Sequence, residues 1–218
     1  MLYERNDNTN RTNVRVMEGG RMKVFYMNQG GGGHWGAVRY SKYDLLLLAE
    51  CRDPKQGFDV QYASGTKPSM SVQVAQGSRT RVITAAKDVD SRLEAVRPLL
   101  TFQITSPNIR VVFFHLKSGS EKLASEELRQ AVKGLTTLYV LGTNAPILWV
   151  GDFNRAADDA ISAEFGKVTS IIQGGGYSGW YLDRVLVTGD WGHLAVEATK
   201  VTNAATDHDH IGIEITIE

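Results

Sequence analysis

Short apolar runs recur along this 218-residue chain, and each stops at a residue that carries a charge or a strong hydrogen-bonding group. Met22 to Met27 ends at Asn28, Asp44 to Ala49 at Glu50, Ile109 to Phe114 at His115, and Ala145 to Val150 at Gly151-Asp152-Phe153-Asn154. Runs of about six residues suit strands and fall far short of the roughly 18 needed to cross a bilayer as a helix. Asp183 inside Leu182 to Val187, and Asp209-His210 just before Ile211 to Ile217, extend the series to six places. A buried carboxylate without a partner is costly, so six polar strand ends are hard to explain as packing. One site at one end of a sheet sandwich explains them all.

The remaining chain predicts further strands at Ser69 to Ala75 and Arg79 to Ala86, read as a hairpin around Gln76-Gly77-Ser78, and at Leu99 to Thr105. Trp35 to Tyr43 and Asp158 to Phe165 read as short helices. Ser120 to Leu138 carries helical spacing at Leu123, Leu128, Val132 and Leu135, with Ser120 as N-cap. Strands outnumber helices, which favours a layered α/β sandwich. The domain is expected over residues 21–218, after a polar, Asn-rich tail at 1–20 that does not read as a secretory signal. Gly30 to Gly33 would let the backbone approach a ligand closely, although the spacing is not that of a nucleotide-binding loop. The lone Cys51 excludes an internal disulfide and reads as a small buried hydrophobe.

The formal net charge of +0 weakly disfavours a protein that grips nucleic acid by bulk electrostatics. The segment Arg79 to Lys117 is less balanced, with seven bases against three acids, and could face phosphate. In Ile147 to Arg155, Asp152 and Asn154 leave the strand two positions apart and so on the same side. A carboxylate and an amide converging there suit a water, a metal or a phosphoryl oxygen.

These residues resemble the endonuclease/exonuclease/phosphatase superfamily, whose best-known member is pancreatic deoxyribonuclease. The superfamily's marks occur in order as Asn28, Glu50, His115, Asp152 with Asn154, Asp183 and Asp209-His210. Within it the chain looks most like the nuclease component of bacterial cytolethal distending toxin. Met27-Asn28-Gln29-Gly30, Arg97-Pro98, HLKSGS from His115 to Ser120, GDFNR and Leu182-Asp183 carry that likeness. It implies a four-layer α-β-β-α sandwich of two mostly antiparallel sheets. It also implies a Mg²⁺-dependent phosphodiester hydrolase acting on double-stranded DNA, secreted or delivered as a bacterial effector, with toxin delivery subunits as partners.

Glu50, Asn28 and Asp209 would hold the metal. Mg²⁺ suits them because it needs few carboxylates, whereas Zn²⁺ favours a His/Cys cluster. Asp152 would polarise the water, Asn154 would hold it or the phosphate, and His115 would be general acid or phosphate ligand. His210, backed by a carboxylate, would stabilise the pentacovalent charge, and Asp183 would orient one of the histidines. Arg97 and Arg155 are candidate phosphate forks that grip a backbone without reading sequence. The chain departs from the pattern in three ways. Only 21 residues separate Asn28 from Glu50, so the first helix is cut short. A second Glu to orient His115 is missing between Cys51 and Arg81, where Gln61, Gln73 and Asp59 are weak substitutes. The last motif reads Asp-His-Ile-Gly where a Pro often stands, with Asp207-His208 as a rival register. Two other functions fit the same residues: a phosphatase on phosphoinositides or related phosphoesters, and a catalytically silent binding module.

Overall fold

A computed structural model describes residues 21–30, 38–51, 53–63, 69–78, 80, 82–83, 99–105, 107–116, 118–137, 145–154, 163, 169–173, 182–205 and 210–218. The first sheet contains β1 (Met22–Asn28), β2 (Leu45–Ala49), β3 (Phe58–Ala63), β4 (Met70–Ala75), β11 (Val196–Ala205) and β12 (Ile211–Ile217), ordered β11-β12-β1-β2-β4-β3. The second contains β5 (Val82–Ile83), β6 (Leu99–Thr105), β7 (Asn108–His115), β8 (Ile147–Asp152), β9 (Thr169–Gln173) and β10 (Asp183–Thr188), ordered β5-β6-β7-β8-β10-β9. β1–β2 and β7–β8 are parallel and the other pairs antiparallel.

The central strands β1, β2, β7 and β8 are largely apolar on both faces, and the alternation of the strands sorts the side chains into three layers. Met22, Val24 and Tyr26 of β1, Leu45 and Leu47 of β2, Val111 and Phe113 of β7, and Leu148 and Val150 of β8 meet between the sheets. Phe25, Met27, Leu46 and Leu48 face outward with Tyr43, Cys51 and Phe58, and Val38 and Tyr40 pack on them. On the far side, Val112, Phe114, Trp149 and Phe153 take Ala124, Leu128, Ala131 and Val132 of helix α1 (Glu121–Thr137). The result is an α/β sandwich of two mostly antiparallel sheets. Among the described residues the layer outside the first sheet is the 3-10 turn Tyr40–Lys42. No helix among them is long and apolar enough to cross a membrane.

Four expectations change. The strands on either side of Gln76-Gly77-Ser78 are not a hairpin: β4 pairs with β2 and β3, while β5 pairs with β6 in the other sheet. β3, β9 and β11 were not expected. Arg39 is extended, so the described part of the helix predicted over Trp35 to Tyr43 is the single turn at Tyr40–Lys42. Leu123, predicted on the apolar face of α1, is 47% exposed. Residues 1–20 lie outside the described residues. So does the predicted helix at Asp158 to Phe165 apart from Ala163, and so do the charged groups of Arg79 to Lys117 apart from Arg110.

On the outer face of the first sheet, Glu214 accepts from Lys23 Nζ at 3.2 Å and Lys42 Nζ at 2.5 Å. Partial burial alone would raise its carboxyl, but the two ammonium groups hold it below the usual carboxylate range. A carboxyl lowered by folding stabilises at neutral pH, and that contribution fades as pH falls through the folded value. Glu214→Gln should therefore cost about 0.2–1 kcal/mol at pH 7 and progressively less in acid. Thermal melts from pH 7 to 3 would check this, and a penalty that does not shrink with acidification would contradict it.

Candidate active site

The strand parity that fills the inter-sheet core also places the polar residues. Positions 22, 24 and 26 of β1 face inward, so Asn28 does too; 109, 111 and 113 of β7 lead to His115; 148 and 150 of β8 lead to Asp152. Asp183 continues the parity of Val185 in β10. Register then aligns them. Asp152 stands beside His115 across the parallel β7–β8 pair and beside Asp183 across the antiparallel β8–β10 pair. Four strands thus end in one polar cluster where the apolar core stops.

Glu50 breaks this parity, because the inward positions of β2 are 45, 47 and 49. Its φ of 57° takes the chain out of the strand alternation, and its carboxylate Oε1 comes within 3.7 Å of His115 Nε2. Left-handed backbone at a residue other than glycine costs roughly 1–2 kcal/mol and is typical of functional sites. Glu50→Gly should therefore raise the melting temperature while removing a site carboxylate. A calorimetric melt no higher than that of the native chain would refute the claim of strain.

Asp152 is the hub. Its Oδ2 accepts from Asn28 Nδ2 at 2.8 Å and lies 3.2 Å from His115 Nε2, and its Oδ1 accepts from the Asn154 backbone N–H at 2.8 Å. Burial would raise this carboxyl, yet the hydrogen bond and charge of His115, with His210 and the Asn154 N–H, hold it below its ordinary value. His210 precedes β12. Its Nδ1 lies 3.0 Å from Asp183 Oδ2, and its Nε2 lies 3.2 Å from Asn28 Nδ2 and 3.8 Å from Asp152 Oδ2. Gly30 N–H donates to Asn28 Oδ1 at 3.0 Å, which fixes the amide with its nitrogen toward Asp152 and His210. Asn28 then donates one hydrogen to each. Neutral His210 must carry its proton on Nδ1, donate it to Asp183, and offer a lone pair at Nε2.

Asp183 is fully buried and takes a second bond at 2.7 Å from the hydroxyl of Tyr26, which the sequence reading did not single out. The parity of β1 was the available signal, since Tyr26 stands two residues before Asn28 on the same face. Burial raises the Asp183 carboxyl, and the bonds from His210 and Tyr26 offset that only in part. Burial and the neighbouring Asp183 push the Tyr26 phenol well up, so it remains a donor.

The structure thus brings together Asn28, Glu50, His115, Asp152, Asn154, Asp183 and His210. Asn154, at φ 43°, spends its amide nitrogen on the Leu116 carbonyl at 2.6 Å and clips the end of β8 to that of β7. One of its two amide hydrogens is thereby committed to backbone. The three weak substitutes for a second Glu are engaged or turned away. Gln73 binds Asp53 O, Ser71 Oγ and Lys55 N, Asp59 accepts from Gln76, and Gln61 is exposed. Among the described residues, the carboxylates beside His115 are Asp152 and Glu50. Arg97, Arg155, Asp209 and the rival Asp207-His208 lie outside the described residues.

Residues 30–208 match the profile of the Endonuclease/Exonuclease/phosphatase family. The chain belongs to that family. No curated protein sequence matches it. Solved structures share the fold at low identity. A functionally unknown conserved protein from Enterococcus faecalis is 14% identical with a TM-score of 0.64, over 90% of this chain and 99% of that one. The human Nocturnin catalytic domain with bound sulfate anion is 15% identical with a TM-score of 0.62, over 91% and 94%. A humanized D. rerio TDP2 is 9% identical with a TM-score of 0.61, over 91% and 99%. Membership in the Endonuclease/Exonuclease/phosphatase family makes the chain a phosphoester hydrolase. The likeness to a toxin component rests on the sequence motifs alone.

Among the described residues, two donor sets fit a divalent cation. Ligand atoms of Asp152, Asp183 and His210 lie within 4.8 Å of one another. There, however, Asp183 and His210 are already committed to each other, and Asp183 also to Tyr26. The second set is Glu50 with Asn28, at the mouth. A Cβ on Gly30 would stand 3.5 Å from Glu50 Oε2, 3.8 Å from Asn28 Oδ1 and 3.7 Å from His210, so the missing side chain leaves a space edged by oxygens. Hard oxygen donors beside a half-exposed carboxylate suit a cation that keeps part of its water shell.

Proposed function

We propose that this chain is a Mg²⁺-dependent phosphodiesterase, most simply a DNA endonuclease of low sequence specificity. One observation carries the reading: two imidazole–carboxylate pairs, His115–Asp152 and His210–Asp183, stand on either side of Asn28, with Glu50 at the opening. Hydrolysis needs a polarised water, neutralised phosphoryl oxygens and a proton for the leaving oxygen. Asp152, kept ionised by its donors, orients and deprotonates the water. His210, once protonated on Nε2, donates to a phosphoryl oxygen while Asp183 supports its charge. His115, between Asp152 and Glu50, protonates the leaving oxygen or holds the phosphate. Bound at Glu50 and Asn28, a divalent cation would supply Lewis acidity toward the phosphoryl group. Arg97 and Arg155 are proposed as backbone contacts, Asp209 as a further metal ligand, and delivery as a secreted effector with partner subunits as the setting.

The test is nicking of supercoiled plasmid in Mg²⁺ or EDTA, with hydrolysis of bis-p-nitrophenyl phosphate in parallel. The native chain should nick in Mg²⁺ and stop in EDTA. Glu50→Gln should raise the Mg²⁺ concentration for half-maximal rate by about tenfold or more. Nicking that ignores EDTA and His210→Ala would overturn the assignment. Phosphate release from inositol lipids without nicking would replace it with the phosphatase reading, and inertness toward all three substrates with the binding module.

A further inference from the structure

We propose that Tyr26 is a positioning residue for His210, acting through Asp183; the inference rests on the phosphodiesterase reading for its catalytic consequence but not for its geometry. Tyr26 is fully buried on the inward face of β1, edge-on to Phe113 with ring centroids 6.0 Å apart. Packing at that place asks only for an aromatic ring, yet the residue carries a hydroxyl that donates to Asp183 Oδ1 at 2.7 Å. Asp183 Oδ2 faces His210 Nδ1 at 3.0 Å and the Ile211 N–H at 3.4 Å, and Oδ1 lies 3.2 Å from the same Nδ1. The carboxylate is thus held by donors on both oxygens, from β1 and from the entry of β12, and cannot turn about its Cβ–Cγ bond without losing one of them.

The consequence reaches the imidazole from two directions. Tyr26 and Asn28 are two apart on one face of one strand. Asn28 Nδ2 meets His210 Nε2 at 3.2 Å, and Tyr26 holds the carboxylate that meets Nδ1. One strand therefore fixes both ring nitrogens, one directly and one through Asp183. The hydrogen-bond inventory then allows a single neutral tautomer, with the proton on Nδ1 and a lone pair at Nε2 facing the cluster. Without the hydroxyl, Asp183 Oδ1 keeps the longer 3.2 Å contact to His210 Nδ1, and the carboxylate can rotate toward the ring. Rotation loosens the acceptor that selects the tautomer and aims the ring.

Tyr26→Phe removes the oxygen and keeps the ring. In the full chain, long-range ¹⁵N–¹H spectra of the imidazoles, with His210 assigned by its loss in His210→Ala, should show a dominant Nδ1–H tautomer in the native protein and a mixed one in Tyr26→Phe. Asp183→Asn, which leaves Tyr26 in place, should produce the same change. On a small phosphodiester in Mg²⁺, kcat should fall about tenfold in Tyr26→Phe with KM unchanged, the loss expected for one hydrogen bond to a charged group. A purely structural hydroxyl would lower the melting temperature and leave the His210 signal and kcat alone. That result, or a fall in kcat without a change in the His210 spectrum, would overturn the proposal. A native chain that cleaves no phosphodiester would sink the functional reading instead, while the nitrogen spectra still decide the positioning role.

Discussion

Asp152→Asn is expected to lower kcat about 10²–10⁴-fold with the sandwich intact, the span typical of losing a positioned acid or base. The substitution is nearly isosteric, so the effect comes from chemistry rather than volume. Asp152 accepts on both oxygens, from Asn28 and His115 on one and from the Asn154 backbone on the other. An amide has one acceptor oxygen and two N–H donors, so one side of residue 152 must set donor against donor. That should cost about 1–3 kcal/mol of stability, read as a modestly lower melting temperature. The larger loss is functional, because the amide carries no negative charge to polarise water or to balance a protonated imidazole. Steady-state hydrolysis beside circular dichroism separates the two effects. A folded Asp152→Asn protein within about tenfold of native kcat, roughly 1.4 kcal/mol in barrier height, would remove Asp152 from the mechanism.

Gly151→Ala is expected to be the most damaging glycine-to-alanine change among the described glycines. An ideal Cβ at position 151 overlaps the carbonyl oxygen of Phe114 and sits 2.9 Å from its carbon and 3.2 Å from its nitrogen. Phe114 and Gly151 are register partners in the β7–β8 pair, so the obstacle is backbone held by the ladder. Side chains can rotate out of a clash; a paired strand cannot without parting from its neighbour. The expected cost is about 3 kcal/mol or more, at the upper end for overpacking. The control is Gly57→Ala, at φ 82° with nothing within 4 Å of the added carbon, where only left-handed strain of about 1–2 kcal/mol applies. Urea unfolding of both variants decides the matter: a Gly151→Ala penalty no larger than that of Gly57→Ala would defeat the close-approach argument. Because Asp152 and His115 are the next pair along the same ladder, the surviving folded fraction should also lose activity.

The interior strands were legible because each has at least one continuous apolar face and the central ones have two, and the ends of those strands gave the site because parity carries an inward position from core into cleft. The strands that sequence reading passed over, β3, β9 and β11, are all at sheet edges, and β5, whose partner was misassigned, is the fourth edge. An edge strand has one neighbour and much open surface. β3 shows a single buried residue, Phe58, and reads as polar chain. The supposed hairpin failed for a related reason. Two adjacent strands with a turn between them suggest pairing, but nothing local says that the chain crosses from one sheet to the other there.

Composition and alternation by themselves determined that this chain builds two-faced strands whose inward ends are Asn28, His115, Asp152 and Asp183, since a period of two is a property of extended backbone and needs no partner to be read. Tertiary structure alone decided what those ends meet. It set Asp152 beside both His115 and Asp183 through strand register, turned Glu50 inward through a left-handed backbone that alternation forbids, and brought Tyr26 against Asp183 from the opposite sheet. Register and sheet stacking join residues 157 positions apart in the chain, as Tyr26 and Asp183 are, and pairings of that kind are settled by the packing of whole layers rather than by any local run of residues.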